Sequence, residues 1–360
     1  MFQLTPNTIL DNICTIAVVL VALYNYYCMK TNKKGTGYFL FVVFILCYSL
    51  FYRPIIGDFW HSLVTYQQGP IAAAGNLEPF YYLLMSIIPN NYLLWRIAIW
   101  LPAAIMIMIC FKYMNVPSSY ATTFFLVFGL AAYYYTRNAL AYSVLYCGMV
   151  LFCFRDKFTQ KTMFTIVSFA LIFVSWYLHK SMPMYIGIAL LSLVLPFNKN
   201  VFIGVLIILP ALYGIIISLG ADILNLNIWS DNETAMHYLE GEAAVHNYSW
   251  KDRIIKLFLK APVIYFYIIA IFHPLPKSNS DFSFYKVFLY YSYFVVMLSL
   301  LFYEQGSHYV QGRIYKGSLI PFAFVASLYF KNCFGSRQCM IFVYLTILSL
   351  ATSLFTLIRY

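Results

Sequence analysis

Runs of roughly 16 to 20 mostly apolar residues recur from one end of this sequence to the other, and each approaches the roughly 20 residues an α-helix needs to cross about 30 Å of hydrocarbon. Among its 360 residues, 62% are apolar and 10% charged. Soluble domains carry about half apolar and a quarter charged residues. A membrane barrel would show weaker alternating segments of about ten residues. The expected fold class is an all-α polytopic membrane protein with about twelve transmembrane helices and two longer extracytoplasmic loops carrying interfacial or re-entrant helices.

The spans read as 9–28, 37–52, 92–111, 118–135, 139–154, 162–178, 182–197, 200–220, 257–272, 285–303, 315–330 and 339–357, and no internal repeat divides them. One membrane domain, 1–360, accounts for the whole chain, with extracytoplasmic loops at 53–91 and 221–256. The first apolar run lacks a basic n-region and a small-residue cleavage site, so it reads as a retained helix. The eight cysteines lie mostly in or beside apolar runs without CxxC or Cys/His spacing, which points to packing instead of disulfides or a metal site.

A net charge of +11 raises nucleic acid as a partner, but the Lys and Arg residues stand singly or in small groups between spans, where they set membrane topology. The loops fall into two alternating sets. "KTNKKG", "FKYMNVPSS", "FRDKFTQK", "FNKN", "FHPLPKSNSDFSFYK" and "FKNCFGSRQ" are short and basic and are assigned to the cytoplasm. The two long loops and "EQGSHYVQGRIYKG" hold nearly all the acidic residues and are placed outside, although Lys and Arg alone count nearly equal on the two sides. "NLEPFYYLLMSIIP" is too short to span; it reads as a re-entrant or interfacial helix with Glu78 near its start and Pro79 in its first turn. "AMHYLEGEAAVHNYSWKDRIIKLFLKA" reads as a segment along the membrane surface.

Ionisable groups at membrane helix ends are costly unless they meet water, a partner or a ligand. The outer set gathers Arg53, Asp58, Arg137, Asn138, His179, His308 and Arg313, with Arg96 deeper in its own span. Each has a plain alternative: Lys180, Lys260 and Lys316 can snorkel, Asp58 can simply pair with Arg53, and His179 can cap a helix. Arg137 resists such a reading, because "YYYTRNALA" sets it beside an amide and a tyrosine belt at the start of a small-residue helix. Guanidinium forks bind phosphate oxygens with paired, charge-assisted bonds. Arg53, Arg137 and Arg313 meeting in one hollow would therefore suit the diphosphate head of a lipid.

The ordered set "YRPIIGDFWHSLVTY", "EPFYYLL", "TRNALAYSVL", "LHKSMPMY" and "QGRIYKGSLIPF" resembles the Wzy-type polysaccharide polymerases, in particular their EpsG-like branch of exopolysaccharide and O-antigen polymerases. The family pattern spaces Gly and Asp by one residue and follows them with Thr, whereas here Gly57 and Asp58 are adjacent and no Thr comes before Thr65. The resemblance implies a glycosyltransferase in the bacterial cytoplasmic membrane with its site facing the periplasm or outside. It implies transfer of a growing glycan from one undecaprenyl diphosphate carrier to a second carrier-linked repeat unit. Asp58 and His179 are the candidate catalytic groups. Arg53, Tyr66, Glu78, Arg137, Asn138, His308 and Arg313 are the candidate substrate-binding groups. The outer loops contain no Asp-x-Asp pair, so neither a metal nor a cofactor is expected. The expected partners are carrier-linked oligosaccharides, membrane lipids and a chain-length regulator. A flippase or transporter of carrier-linked oligosaccharide, and an O-antigen ligase-like transferase, are the competing readings. A transporter would place its charges near the midplane between repeats, which the one-sided clustering of polar residues disfavours.

Overall fold

The computed structural model describes residues 8–52, 58–73, 77–134, 136–196, 198, 200–205, 207–208, 211, 250–301 and 308–359, with the backbone path alone at several helix ends, including 58–61, 308–311, 313 and 353–359. All the regular structure among them is helical. The long helices are Thr8–Lys30, Tyr38–Phe51, Tyr92–Tyr113, Thr136–Phe154, Lys161–Leu178, Met182–Val194, Trp250–Phe272, Phe282–Leu301, Leu319–Cys333 and Arg337–Arg359. Five stretches are long and apolar enough to cross a bilayer: Ile9–Lys30, Tyr92–Tyr113, Arg137–Lys157, Lys161–Leu178 and Phe282–Ser299. Tyr38–Phe51, Met182–Val194, Phe258–Phe272 and Arg337–Thr352 are shorter apolar helices. Most of the eighth expected span and the second surface segment up to Ser249 lie outside the described residues.

The span expected at 118–135 is not one α-helix. It runs as α-helix over Ser118–Val127 and then tightens into a 3₁₀ helix over Gly129–Tyr134. At 1.5 Å and about 2.0 Å per residue the two pieces reach about 27 Å, close to a hydrocarbon thickness. The change of helix type falls at Gly129, where a Cβ would sit 2.7 Å from the Phe125 ring. Hydropathy alone cannot register such a change.

Several helices are largely enclosed by the rest. Every residue from Leu319 to Phe330 is buried, and that helix packs against Ser118–Val127, Phe282–Leu301, the 3₁₀ segment and His308–Gly317. Its rings meet neighbours edge to face, Phe324 with Phe111 at 4.8 Å and with Phe288 at 5.0 Å, a geometry that adds to simple burial. A second, Thr136–Phe154, lies between Tyr92–Tyr113 and Lys161–Leu178. Serines inside the bundle return their hydroxyls to their own helix: Ser143 donates to the Ala139 carbonyl at 2.7 Å and Ser327 to the Ala323 carbonyl at 2.6 Å. No polar hydrogen of these side chains is thereby left in an apolar interior.

Outward faces are apolar in stripes of helical period. Ile9, Ile13, Ile16 and Leu20 are exposed on the first helix, and Ile166, Phe173 and Tyr177 on the fifth. Faces this apolar have lipid as their solvent.

Loops of each set meet members of their own set. In the basic set, Tyr38 donates its hydroxyl to the Val116 carbonyl and the Tyr113 and Phe154 rings lie 5.2 Å apart. Lys286 reaches the Leu195 carbonyl at 2.9 Å, and Lys331 pairs with Asp281 at 2.8 Å. Of the other set, the described segments at Glu78, Arg137 and Lys180 come together.

Candidate functional site

"NLEPFYYLL" forms the expected short helix, Pro79–Ile87, with Glu78 as N-cap and proline in its first turn. An N-cap side chain ordinarily accepts from the backbone of its own helix, as Asn91 does from the Leu94 N–H at 3.0 Å. Glu78 does not. One carboxylate oxygen, Oε2, accepts from Arg137 Nη1 at 3.1 Å, and Oε1 accepts from the Lys180 backbone N–H at 3.0 Å. The carboxylate thus ties three segments together: its own helix, the start of Thr136–Phe154, and the turn between Lys161–Leu178 and Met182–Val194.

The side chain of Glu78 is 4% exposed and that of Arg137 17%. Burial alone would push the Glu78 carboxyl up. Arg137 foremost, then His179 and the Lys180 N–H, outweigh it and hold the group below the usual carboxylate range. Arg137 is fixed from its backbone side as well, because Tyr81 donates its hydroxyl to the Arg137 carbonyl at 2.8 Å. Tyr81, fully buried, in turn accepts at its own carbonyl from Trp95 Nε1 at 3.2 Å. Glu78 thus holds the guanidinium and Tyr81 the backbone that carries it.

Ser181, like Glu78, is an N-cap residue whose side chain does not cap its helix. Its hydroxyl lies 2.8 Å from His179 Nδ1, and its backbone N–H donates to the same nitrogen at 3.1 Å. The Leu178 helix end and the Met182 helix start are joined by this tight turn, with the His179 carbonyl accepting from the Met182 N–H at 3.0 Å. Ser181 was not among the residues the sequence singled out. A Ser directly before "MPMY", with Pro183 in the first helical turn, is nevertheless a legible helix start.

Tyr66 is buried and its hydroxyl is engaged by main chain, donating to the Ile88 carbonyl and accepting from the Asn91 N–H at 2.9 Å. Its ring lies 5.6 Å from Tyr92 and 5.7 Å from Trp95. Among these contacts it joins helix Asp58–Gln67 to the turn before Tyr92. Asn138 is buried in the first turn of Thr136–Phe154. Arg96 is buried one turn into its span, its guanidinium 5.4 Å from the Trp100 ring.

Of the residues the sequence proposed, the structure brings Glu78, Arg137 and His179 together. Arg53 lies outside the described residues. Asp58 begins helix Asp58–Gln67, which packs on Thr136–Phe154; His308 and Arg313 lie in helix His308–Gly317, which packs on the 3₁₀ segment preceding Arg137. For these three the side chains lie outside the described residues. Among the described residues no group of three or more His, Cys, Asp or Glu is placed to hold a metal ion. Chemically, the cluster offers a fixed cation, an imidazole of defined orientation and an ionised carboxylate whose two oxygens are both engaged.

The family model described as the EpsG family matches residues 52–360. No curated protein and no solved structure gave a match.

Proposed function

The chain belongs to the EpsG family, and from that premise we propose that it is a polysaccharide polymerase, a membrane glycosyltransferase whose donor and acceptor are both carried on undecaprenyl diphosphate. The observation that carries this reading is Arg137 at a helix start, fixed by Glu78 on its side chain and by Tyr81 on its carbonyl. A cation held this firmly suits charge that develops on a leaving diphosphate, because a preorganised donor needs no rearrangement at the moment of reaction.

In the reaction, the acceptor sugar hydroxyl oxygen bonds to the anomeric carbon of the growing glycan. The bond from that carbon to the diphosphate oxygen breaks, and its electron pair leaves with the lipid diphosphate. The hydroxyl proton passes to Asp58 or His179. Arg137, with Arg53 and Arg313, meets the diphosphate oxygens; Asn138 and His308 contribute polar contacts to the same substrates. Tyr66 and Glu78 shape the site from behind. Membrane lipids surround the bundle, and a chain-length regulator would act with the protein while the glycan grows.

Purified protein in liposomes, given carrier-linked repeat units, should lengthen the glycan and release lipid diphosphate. Arg137→Lys keeps the charge but loses the paired fork, and the rate should fall about 100-fold. Unchanged lengthening in that variant would remove Arg137 from the site. Repeat units crossing the bilayer without lengthening would establish a flippase, and transfer only to a different acceptor lipid would establish a ligase.

A further inference from the structure

We infer that His179 serves this reaction as a hydrogen-bond donor through Nε2 and not as the base, with Ser181 as the residue that sets its tautomer. The inference rests on the polymerase reading above and deepens it.

A backbone N–H can only donate. The Ser181 N–H points at His179 Nδ1 from 3.1 Å, so that nitrogen presents its lone pair. The Ser181 hydroxyl, 2.8 Å from the same atom, completes the arrangement by turning its own hydrogen inward. A hydrogen on Nδ1 would face the Ser181 N–H head to head. The imidazole proton therefore sits on Nε2. The second ring nitrogen decides what the first can do, and here the arrangement fixes Nε2 as a donor.

The place of the ring agrees with that role. His179 is one residue from the Lys180 N–H that binds Glu78. Arg137 lies on the other oxygen of the same carboxylate. Arg137 Nη1 and the Lys180 N–H thus flank one buried anion, with the His179 ring on the adjoining residue. A base would have to take its proton at Nδ1, which the Ser181 N–H and hydroxyl already occupy.

Ser181 itself has a helix start to cap and does not cap it. Its hydroxyl is diverted to the histidine. Ser181 is a positioning residue and His179 the group that touches substrate. When the bond to the diphosphate oxygen breaks, the departing electron pair places charge where the Nε2–H and Arg137 N–H groups donate. The acceptor hydroxyl's proton goes to Asp58.

Glutamine tests the assignment, because its side-chain amide can place an N–H where Nε2–H stands and cannot act as a base. His179→Gln should keep glycan lengthening within about tenfold of the parent, while His179→Ala should lose about 100-fold, the cost of one such donor. A general base contributes about 10² to 10⁴-fold, so His179→Gln falling as far as His179→Ala overturns the inference. A second arm needs no activity. With ¹⁵N-labelled histidine, the nitrogen spectrum of the purified protein, assigned by comparison with His179→Gln, should show a bare Nδ1 and a protonated Nε2 at His179. A protonated Nδ1 with a bare Nε2 overturns the inference as well. Parent protein that lengthens no glycan while showing the expected tautomer would overturn the polymerase reading, and with it the role at the diphosphate, leaving the Ser181 geometry standing.

Discussion

The Glu78–Arg137 pair makes a prediction that is read on stability. Glu78→Gln keeps the shape of the side chain but leaves the Arg137 cation without its partner. Breaking a buried pair costs about 3–5 kcal/mol. Arg137 keeps 17% exposure, so about 2 kcal/mol is expected here. The pH dependence has a definite sign. Glu78 is held below its ordinary value in the folded protein. Its contribution is therefore complete above the usual carboxylate range and disappears as pH falls through the lowered value. The difference in melting temperature between parent and Glu78→Gln should be widest at neutral pH and close in acid. A difference that stays constant with pH would mean that the carboxylate charge does not matter.

That prediction was only half legible in the residues. Charge where lipid meets water marks Arg137 and His179 from sequence alone, and "EP" marks Glu78 as a helix start. What the sequence could not supply is that Glu78 and Arg137, 59 residues apart, face each other. Periodicity reports which face of one helix is apolar; it carries no term for which helix ends share a corner. Glu78 is expected to bind substrate, and each of its oxygens accepts one hydrogen bond from the protein.

At the scale of elements, one close helix crossing controls the corner where the site sits. A Cβ at Gly148 would lie 2.8 Å from the Ser168 carbonyl oxygen and 2.8 Å from Ile172 Cγ1. Glycine therefore lets Thr136–Phe154 and Lys161–Leu178 approach backbone to side chain, the small-residue contact by which membrane helices associate. These are the helices that begin beside Arg137 and end at His179. Gly148→Leu must push them apart, at about 1–3 kcal/mol for overpacking, and should move the Lys180 N–H away from Glu78. The expected outcome is a lower melting temperature together with lost glycan lengthening, with Gly148→Ala milder in both. Wild-type behaviour in Gly148→Leu would show that the crossing yields freely. Element positions were readable because apolar runs of helical length leave few alternatives in lipid. The 118–135 span misled because its composition is uniform across the point, near Phe125 and Gly129, where steric contact changes the helix type.

For the whole molecule, the question is which end faces the cytoplasm. Counting Lys and Arg gives nearly equal sides, so the orientation rule is weak for this chain. The three-dimensional contacts add something independent of it: the basic loops meet one another through Tyr38, Lys286 and Asp281, and the Glu78 corner gathers segments only from the other set. Two ends of one bundle are thus distinguished without counting charges, and a single pair of probes can orient both. Asp156 is 70% exposed in the basic set, and Ser86 is exposed on the short helix that Glu78 begins. With a membrane-impermeant thiol reagent, label gained over the parent should appear on Ser86→Cys in intact cells. On Asp156→Cys it should appear only after the membrane is opened. The reversed pattern would place the Glu78 corner inside the cell, where a polymerase fed from the outer leaflet could not meet its substrates. Labelling of both positions from one side would break the alternation on which the common end of Arg137, Glu78 and His179 depends.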